Sequence, residues 1–382
     1  MWNFSLFRGS VKQVSQTLSL ILLLRKSQLP WLFIVNQANC HQFSSESDSG
    51  QAGKQAVNMV DDGTKQNNGN DLVLYYNQYS FYSQKVVMAL HEKNLPFESH
   101  LIDLTSNEQY KPWFLQINPK GEVPVLQDSG KIIPDSSRII DYLDDNFSNG
   151  NTPRLIPMDQ GVQIKQKVVH FRNLIETLNG NVLTVGTLLH PEVVTGSRKI
   201  PFIGPVCKQL VNAENNSAEN LRKYAELNPE SKTILLEKAM NQEKKHERLL
   251  DKEEFLKILQ ETDNVLDEVE KELTQHTEEK KNWWLCTDKF TVADISLTIL
   301  LVRLNQIGMG ERFWANGKRP HLEEYFTRVQ ERESYQQTIP TTYMFIKTVF
   351  ISQAPLILGV GIAALVAVIV GGYFVVKKII HK

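Results

Sequence analysis

The sequence predicts two folded units, a small α/β domain and then an all-α domain, with an apolar helix at the C-terminal end. Three observations carry this. Residues 72–147 alternate strand-like and helix-like runs in the order β-α-β-α-β-β-α. Further on, FLKILQETDNVLDEVEKEL places Phe255, Leu259, Thr262, Leu266, Val269 and Leu273 at alternating spacings of four and three, the period of a long amphipathic helix. Finally, residues 354–376, APLILGVGIAALVAVIVGGYFVV, run for 23 positions without a charge.

Within the first unit, LVLYYN (72–77) is a strand by its β-branched and aromatic content. FYSQKVVMALHEKN (81–94) groups Val86, Val87, Met88, Ala89 and Leu90 as the buried part of a helix. PFESHLIDL (96–104) alternates as a strand, and NEQYKPWFLQIN (107–118) is helical with a break near Pro112. VPVLQD and KIIPD form a hairpin around Ser129-Gly130, and a helix runs from Ser136 to Phe147. Pro124 stands between Val123 and Val125 in the most strand-like run, although proline has no N–H for a sheet ladder. The conflict is removed if the Val123–Pro124 bond is cis, which bends the start of the strand and exposes a backbone edge.

The second unit opens with a helix near Met158, MDQGVQIKQKVVHFRNLIETL. In FTVADISL (290–297), Thr291 and Asp294 form a capping box, with Phe290 and Ile295 at hydrophobic-staple positions, so Asp294 is assigned a structural role. Between these lie HPEVVTGSRKIPFIGP, which reads as a loop, and NQEKKHERLLDKEE (241–254), where nine of fourteen residues are charged. The latter is a solvated helix face or a partner-binding arm.

Charge and cysteine content exclude several classes. The net charge of −1 argues against a nucleic-acid binder that works through bulk charge. Cys40, Cys207 and Cys286 are too few and too scattered for a disulfide framework or a zinc site, and no metal is expected; they fit a reducing compartment. Residues 1–45 contain no Asp or Glu but carry Arg8, Lys12, Arg25 and Lys26, the composition of a transit peptide. The alternative is a poorly ordered extension that continues into the polar linker 43–70, with Met59 rather than Met1 as the working start.

At about 1.5 Å per residue, a helix over 354–376 is about 35 Å long, enough to cross a hydrocarbon core of about 30 Å. Only KKIIHK follows it, so the segment reads as a tail anchor inserted after synthesis, with the bulk of the chain left in the cytosol and Lys377, Lys378 and Lys382 across the bilayer. Gly359, Ala363, Ala367 and Gly371 recur every four residues and offer a groove for a second copy of the helix.

The β-α-β-α-β-β-α unit resembles the thioredoxin-like N-terminal domain of cytosolic glutathione transferases, and FTVADISL resembles a helix start in their all-α domain. The resemblance implies that Val123, before Pro124, pairs its backbone with the cysteinyl part of glutathione. It implies that Asp135-Ser136 holds the γ-glutamyl end, Ser136 with its hydroxyl at a positive helix end and Asp135 facing the ammonium. Either residue also serves as an N-cap. For the catalytic hydroxyl the match is Ser80, with Tyr79 and Ser83 as alternatives; without a cysteine there, cysteine-type redox chemistry is not expected. Glu122 departs from the family, which carries a non-acidic residue near the glycine carboxylate. Like charges at that spot imply weak, altered or absent glutathione binding.

The expected layout is therefore an extension (1–70), a thioredoxin-like domain (71–148), an all-α domain (157–345) with an insertion at about 184–250, and the anchor (354–376). The insertion together with the anchored, short basic tail resembles the ganglioside-induced differentiation-associated protein 1 family. That resemblance implies a mitochondrial outer-membrane protein facing the cytosol, with peroxisomes as a second location. It also implies roles in mitochondrial fission and redox homeostasis, fission or cytoskeletal partners for the insertion, and a homodimer. Two functions stay open: a membrane factor with weak or no conjugating activity, and an active transferase that conjugates glutathione to hydrophobic electrophiles through Ser80.

Overall fold

The β-branched and aromatic runs of the first domain pair as a four-stranded sheet in the order β2-β1-β3-β4. The structure is a computed structural model and describes residues 72–149 and 152–345. The strands are β1 (Leu72–Tyr76), β2 (Glu98–Leu101), β3 (Val125–Asp128) and β4 (Lys131–Pro134). β2 lies parallel to β1, whereas β3 is antiparallel to both β1 and β4. Tyr75 faces Val125, which faces Pro134, so the end of β1, the start of β3 and the end of β4 meet at one edge of the sheet. The β3–β4 turn has φ +48° at Ser129 and +85° at Gly130, the paired positive values of a tight hairpin turn. Val123–Pro124 is cis and precedes β3, so the proline removes no ladder hydrogen bond. A second cis bond, Ile200–Pro201, gave no signal in the sequence.

Helix α1 (Phe81–Glu92) buries Val86 through Leu90 beneath the sheet; α2 (Pro112–Ile117) begins at its proline, and α3 (Ser136–Asn146) follows β4. The all-α domain starts with α4 (Val162–Glu176), four residues later than Met158, because Gly161 at φ +90° is outside helical space. The segment between α4 and the long amphipathic helix is itself helical: α5 (Gly180–Leu189), α6 (Gly204–Asn215), α7 (Ser217–Leu227) and α8 (Lys232–Leu250). The charged run 241–254 is the end of α8 and the beginning of α9 (Lys252–Thr274), separated by Asp251, whose carboxylate caps α9 through the amides of Glu253 and Glu254. Leu249 within that run is buried and its carbonyl meets His190 Nε2 at 2.8 Å.

One core runs through both domains and includes Leu74, Phe81, Ile139, Phe171, Phe255 and Leu300. Its centre is α10 (Val292–Gln306), every residue of which except Asn305 is buried. The remaining helices, α11 (Gly310–Phe313), α12 (Pro320–Val329) and α13 (Glu333–Thr338), close the far side. Asp294 reaches back to the Thr291 amide (2.8 Å) and hydroxyl (2.7 Å), as expected of the capping box, with Phe290 and Ile295 both buried. Its other oxygen also accepts from the Leu285 amide (2.8 Å) and the Tyr325 hydroxyl (3.0 Å). Burial pushes the Asp294 carboxyl up, and these donors pull it back down. Among the described residues no helix is long and apolar enough to cross a membrane; the span 354–376 and the extension 1–70 lie outside them.

Asp294→Ala removes the N-cap partner, which alone is worth about 1 kcal/mol, and strands buried donors at about 1–3 kcal/mol each. We expect denaturant unfolding to show a loss of at least about 3 kcal/mol. A loss below about 1 kcal/mol would mean that water replaces the carboxylate.

Candidate functional site

The sheet edge where β1, β3 and β4 meet gathers three short segments: Asn77–Ser80 after β1, Glu122–Pro124 before β3, and Asp135–Ser136 after β4. All the residues singled out for glutathione are therefore brought to one place. Val123 lies outside the ladder, and neither its N–H nor its C=O is hydrogen-bonded among the described residues. Gly121 makes the approach to it possible. Its φ is +58°, and a Cβ there would lie 2.6 Å from the Tyr110 ring. The turn is fixed by Asn118, whose amide side chain donates to the Glu122 carbonyl at 2.9 Å and accepts from the Lys120 amide at 3.2 Å.

Asp135 is the N-cap of α3, with one carboxylate oxygen taking the amides of Ser137 (3.0 Å) and Arg138 (3.1 Å). It does so at φ +76°, a left-handed conformation that is uncommon for a residue other than glycine. Ser136 is therefore not the cap but the first helical residue. It is 6% exposed, and its amide and hydroxyl have no partner among the described residues. An orphan amide, an orphan hydroxyl and a helix N-terminus together suit a carboxylate. The open Val123 edge thus suits the cysteinyl part of glutathione, and Ser136 its γ-glutamyl end.

The three hydroxyl candidates occupy different settings. Ser80 caps α1, its Oγ accepting the Ser83 amide at 3.3 Å, which leaves its proton free to donate. Ser83 is fully buried, with its Oγ receiving the Asn77 amide at 3.4 Å. The Tyr79 hydroxyl is buried without a partner among the described residues, the ring meets Phe345 edge-on at 6.3 Å, and burial pushes the phenol up to about 12. Tyr79 thus stays a neutral phenol turned into the interior, and Ser80 is the hydroxyl at the sheet edge.

Several residues that shape this edge carried no sequence signal. Arg303 of α10 is 4% exposed and donates to the Tyr79 carbonyl at 2.7 Å and to Thr184 Oγ1 at 3.0 Å. Burial pulls its guanidinium down to about 10, so it stays charged at neutral pH. Lys85 of α1 is buried 3.6 Å from Glu176 of α4, and burial lowers its ammonium pKa against the pull of that carboxylate. Glu176 also accepts from Ser137 (3.0 Å) and Ser296 (3.3 Å), joining α3, α4 and α10 below Ser136. The Tyr82 phenol is pushed up by burial first and then by Glu122, with Asp135 and Glu176 adding to it and Arg303 opposing.

Glu122 itself does not stand alone. Lys238 of α8 reaches it at 2.9 Å and donates to the Lys120 carbonyl at 2.8 Å. The α7–α8 hairpin is seated here by a small second core, Leu115 of α2 against Leu221, Ala225, Leu235 and Ala239, with the Tyr110 and Tyr224 rings tilted against each other 5.4 Å apart at its side. The carboxylate at position 122 thus has a cation beside it, which the sequence reading did not foresee.

The folded chain is that of a glutathione transferase-family protein. Residues 74–152 match the glutathione S-transferase N-terminal domain and residues 233–333 match the C-terminal domain. The beta-etherase LigF of Sphingobium sp. strain SYK-6 superposes with a TM-score of 0.52 at 22% identity, over 70% of this chain and 98% of that one. Among sequences, glutathione S-transferase TCHQD of Arabidopsis thaliana is 25% identical, over 70% of this chain and 88% of its own length. Ganglioside-induced differentiation-associated protein 1-like 1 of Homo sapiens is 33% identical over 277 residues, 70% of this chain and 73% of that protein. The mouse protein of the same name is 32% identical over 280 residues. The chain belongs to the ganglioside-induced differentiation-associated protein 1 family.

Arg303→Met releases the Tyr79 carbonyl. A charge-assisted hydrogen bond of about 1.5–3 kcal/mol corresponds to amide exchange about tenfold to a hundredfold faster over 77–83. Hydrogen-exchange mass spectrometry checks this; unchanged protection there would show that other bonds hold the segment.

Proposed function

We propose that this chain is a tail-anchored glutathione transferase-family protein of the mitochondrial outer membrane, with its folded domains in the cytosol. It holds glutathione at the sheet edge, with weak or no conjugating activity, and acts in mitochondrial fission and redox homeostasis. The observation that carries the ligand is the pairing of the open Val123 backbone edge with the orphan amide and hydroxyl of Ser136. Location and fission role rest on the family resemblance and on the uncharged run 354–376 followed by KKIIHK. The four-residue spacing of Gly359, Ala363, Ala367 and Gly371 supports a homodimer through the membrane helix.

The second reading is an active transferase. Ser80 Oγ accepts from Ser83 and retains a proton, which it would donate to a thiolate at the start of α1. A hydrogen bond to the charged form lowers a thiol pKa, and the helix N-terminus acts in the same direction.

Calorimetric titration of glutathione into the full chain in mild detergent tests the ligand. We expect binding that Ser136→Ala weakens at least about tenfold, the loss of a charge-assisted bond, while Ser80→Ala leaves it within about twofold. If Ser80→Ala also abolishes turnover of a chromogenic aryl halide, the transferase reading prevails. Absence of binding in the parent sinks both readings of the site.

Location and fission are tested in cells that lack the protein. A fluorescently tagged full chain should decorate mitochondria and restore their normal length, and so should Ser80→Ala. A chain ending at residue 345 should be diffuse and inactive. Mitochondrial decoration by the shortened chain would show that the anchor is not the address.

A further inference from the structure

We propose that Lys238, delivered by the α7–α8 hairpin, is the cation that recognises the glycine carboxylate of glutathione; this rests on the glutathione reading of the sheet edge. The ammonium sits beside the residue that precedes Val123, because it donates one hydrogen bond to the Glu122 carboxylate at 2.9 Å and a second to the Lys120 carbonyl at 2.8 Å. An ammonium has three donors, so one remains for a ligand oxygen. The side chain is also placed over the Tyr110 ring, 5.7 Å from its centroid.

Its position does not depend on the ion pair. The pair is partly exposed, with side-chain exposures of 26% for Lys238 and 56% for Glu122, and such pairs contribute only about 0–1 kcal/mol. What seats the hairpin is apolar: Leu221, Ala225, Leu235 and Ala239 close on Leu115. A cation held in place by packing, next to an open peptide edge, is a preorganised carboxylate contact. Glu122 then acts as a competitor. It occupies Lys238 when the edge is empty and must share it when a second carboxylate arrives, so it sets affinity and selectivity. By reciprocity, a ligand that holds Lys238 also tightens the hairpin.

The test compares glutathione with its glycine monoethyl ester, which lacks only that carboxylate, by calorimetry on the full chain in detergent. We expect Lys238→Met to weaken glutathione binding about tenfold and leave the ester unchanged. Lys238→Arg should restore most of the difference. Glu122→Gln should strengthen glutathione binding and not the ester. Hydrogen exchange over 217–240 should slow with glutathione and less with the ester in the parent. If Lys238→Met unseats the hairpin, exchange in the unliganded variant will rise across 217–240, and the parent's own preference for glutathione over the ester, with the Glu122→Gln result, then decides. Equal binding of acid and ester by the parent overturns the role of Lys238 while leaving the glutathione reading intact. Binding of neither overturns both.

Discussion

A helix buried on every side must satisfy each of its polar groups within the protein, since a stranded buried donor or acceptor costs about 1–3 kcal/mol. α10 is such a helix, and it carries Asp294, Ser296, Arg303 and Gln306 into the interior. The bonds made by Asp294, Ser296 and Arg303 tie the two domains together, while Thr298 Oγ1 and Arg303 Nε have no partner among the described residues. Asp294 fixes the helix start and the loop at Leu285; Ser296 meets Glu176, which also holds Ser137; Arg303 crosses to the Tyr79 carbonyl. Each bond reaches a different element, so α10 cannot slide or rotate without breaking several. The sheet edge inherits that rigidity, because Tyr79 precedes Ser80 and Ser137 follows Ser136.

Buried bonds therefore frame the edge, whereas its charge is set from outside by a partly exposed pair. Glu122 alone makes the edge hostile to a carboxylate. With Lys238 at 2.9 Å the local charge is balanced, and a donor remains. The insertion thus has two parts with different consequences. α5 and the end of α8 belong to the main core through Leu183, Leu188 and Leu249, so they are part of the fold. The α7–α8 hairpin rests on its own small core and touches the edge from one side.

What the sequence made legible follows from the range of each interaction. The strands, the Ser129-Gly130 turn and the Thr291–Asp294 box depend on residues a few positions apart, whereas the cis bond before Pro124 was suggested by the family resemblance and not fixed by its neighbours. The helical insertion was harder to see. HPEVVTGSRKIPFIGP has no period, and charges obscure the stripe that buries Leu235 and Ala239. The residues that shape the site were not legible at all: Lys238 meets Glu122 across 116 positions, and Arg303 meets Tyr79 across 224. Ser80 shows the limit of spacing. Spacing favours Ser80 and keeps Tyr79 and Ser83 as alternatives; burial and hydrogen-bond direction separate the three.

The division between a buried frame and an exposed charge pair also bears on how such a site can change. Altering Arg303 or Glu176 disturbs the core and the edge together, so changes there couple function to stability. Altering Glu122 or Lys238 changes the field at the edge at little cost to the fold, since partly exposed pairs contribute so little to stability. Affinity for a carboxylate-bearing ligand can therefore be raised or lowered without rebuilding the transferase scaffold. Because the hairpin carries Lys238, anything that displaces the hairpin removes the cation and leaves Glu122 facing the edge. On the proposed role of Lys238, ligand occupancy at the sheet edge and the position of the insertion are two ends of one equilibrium.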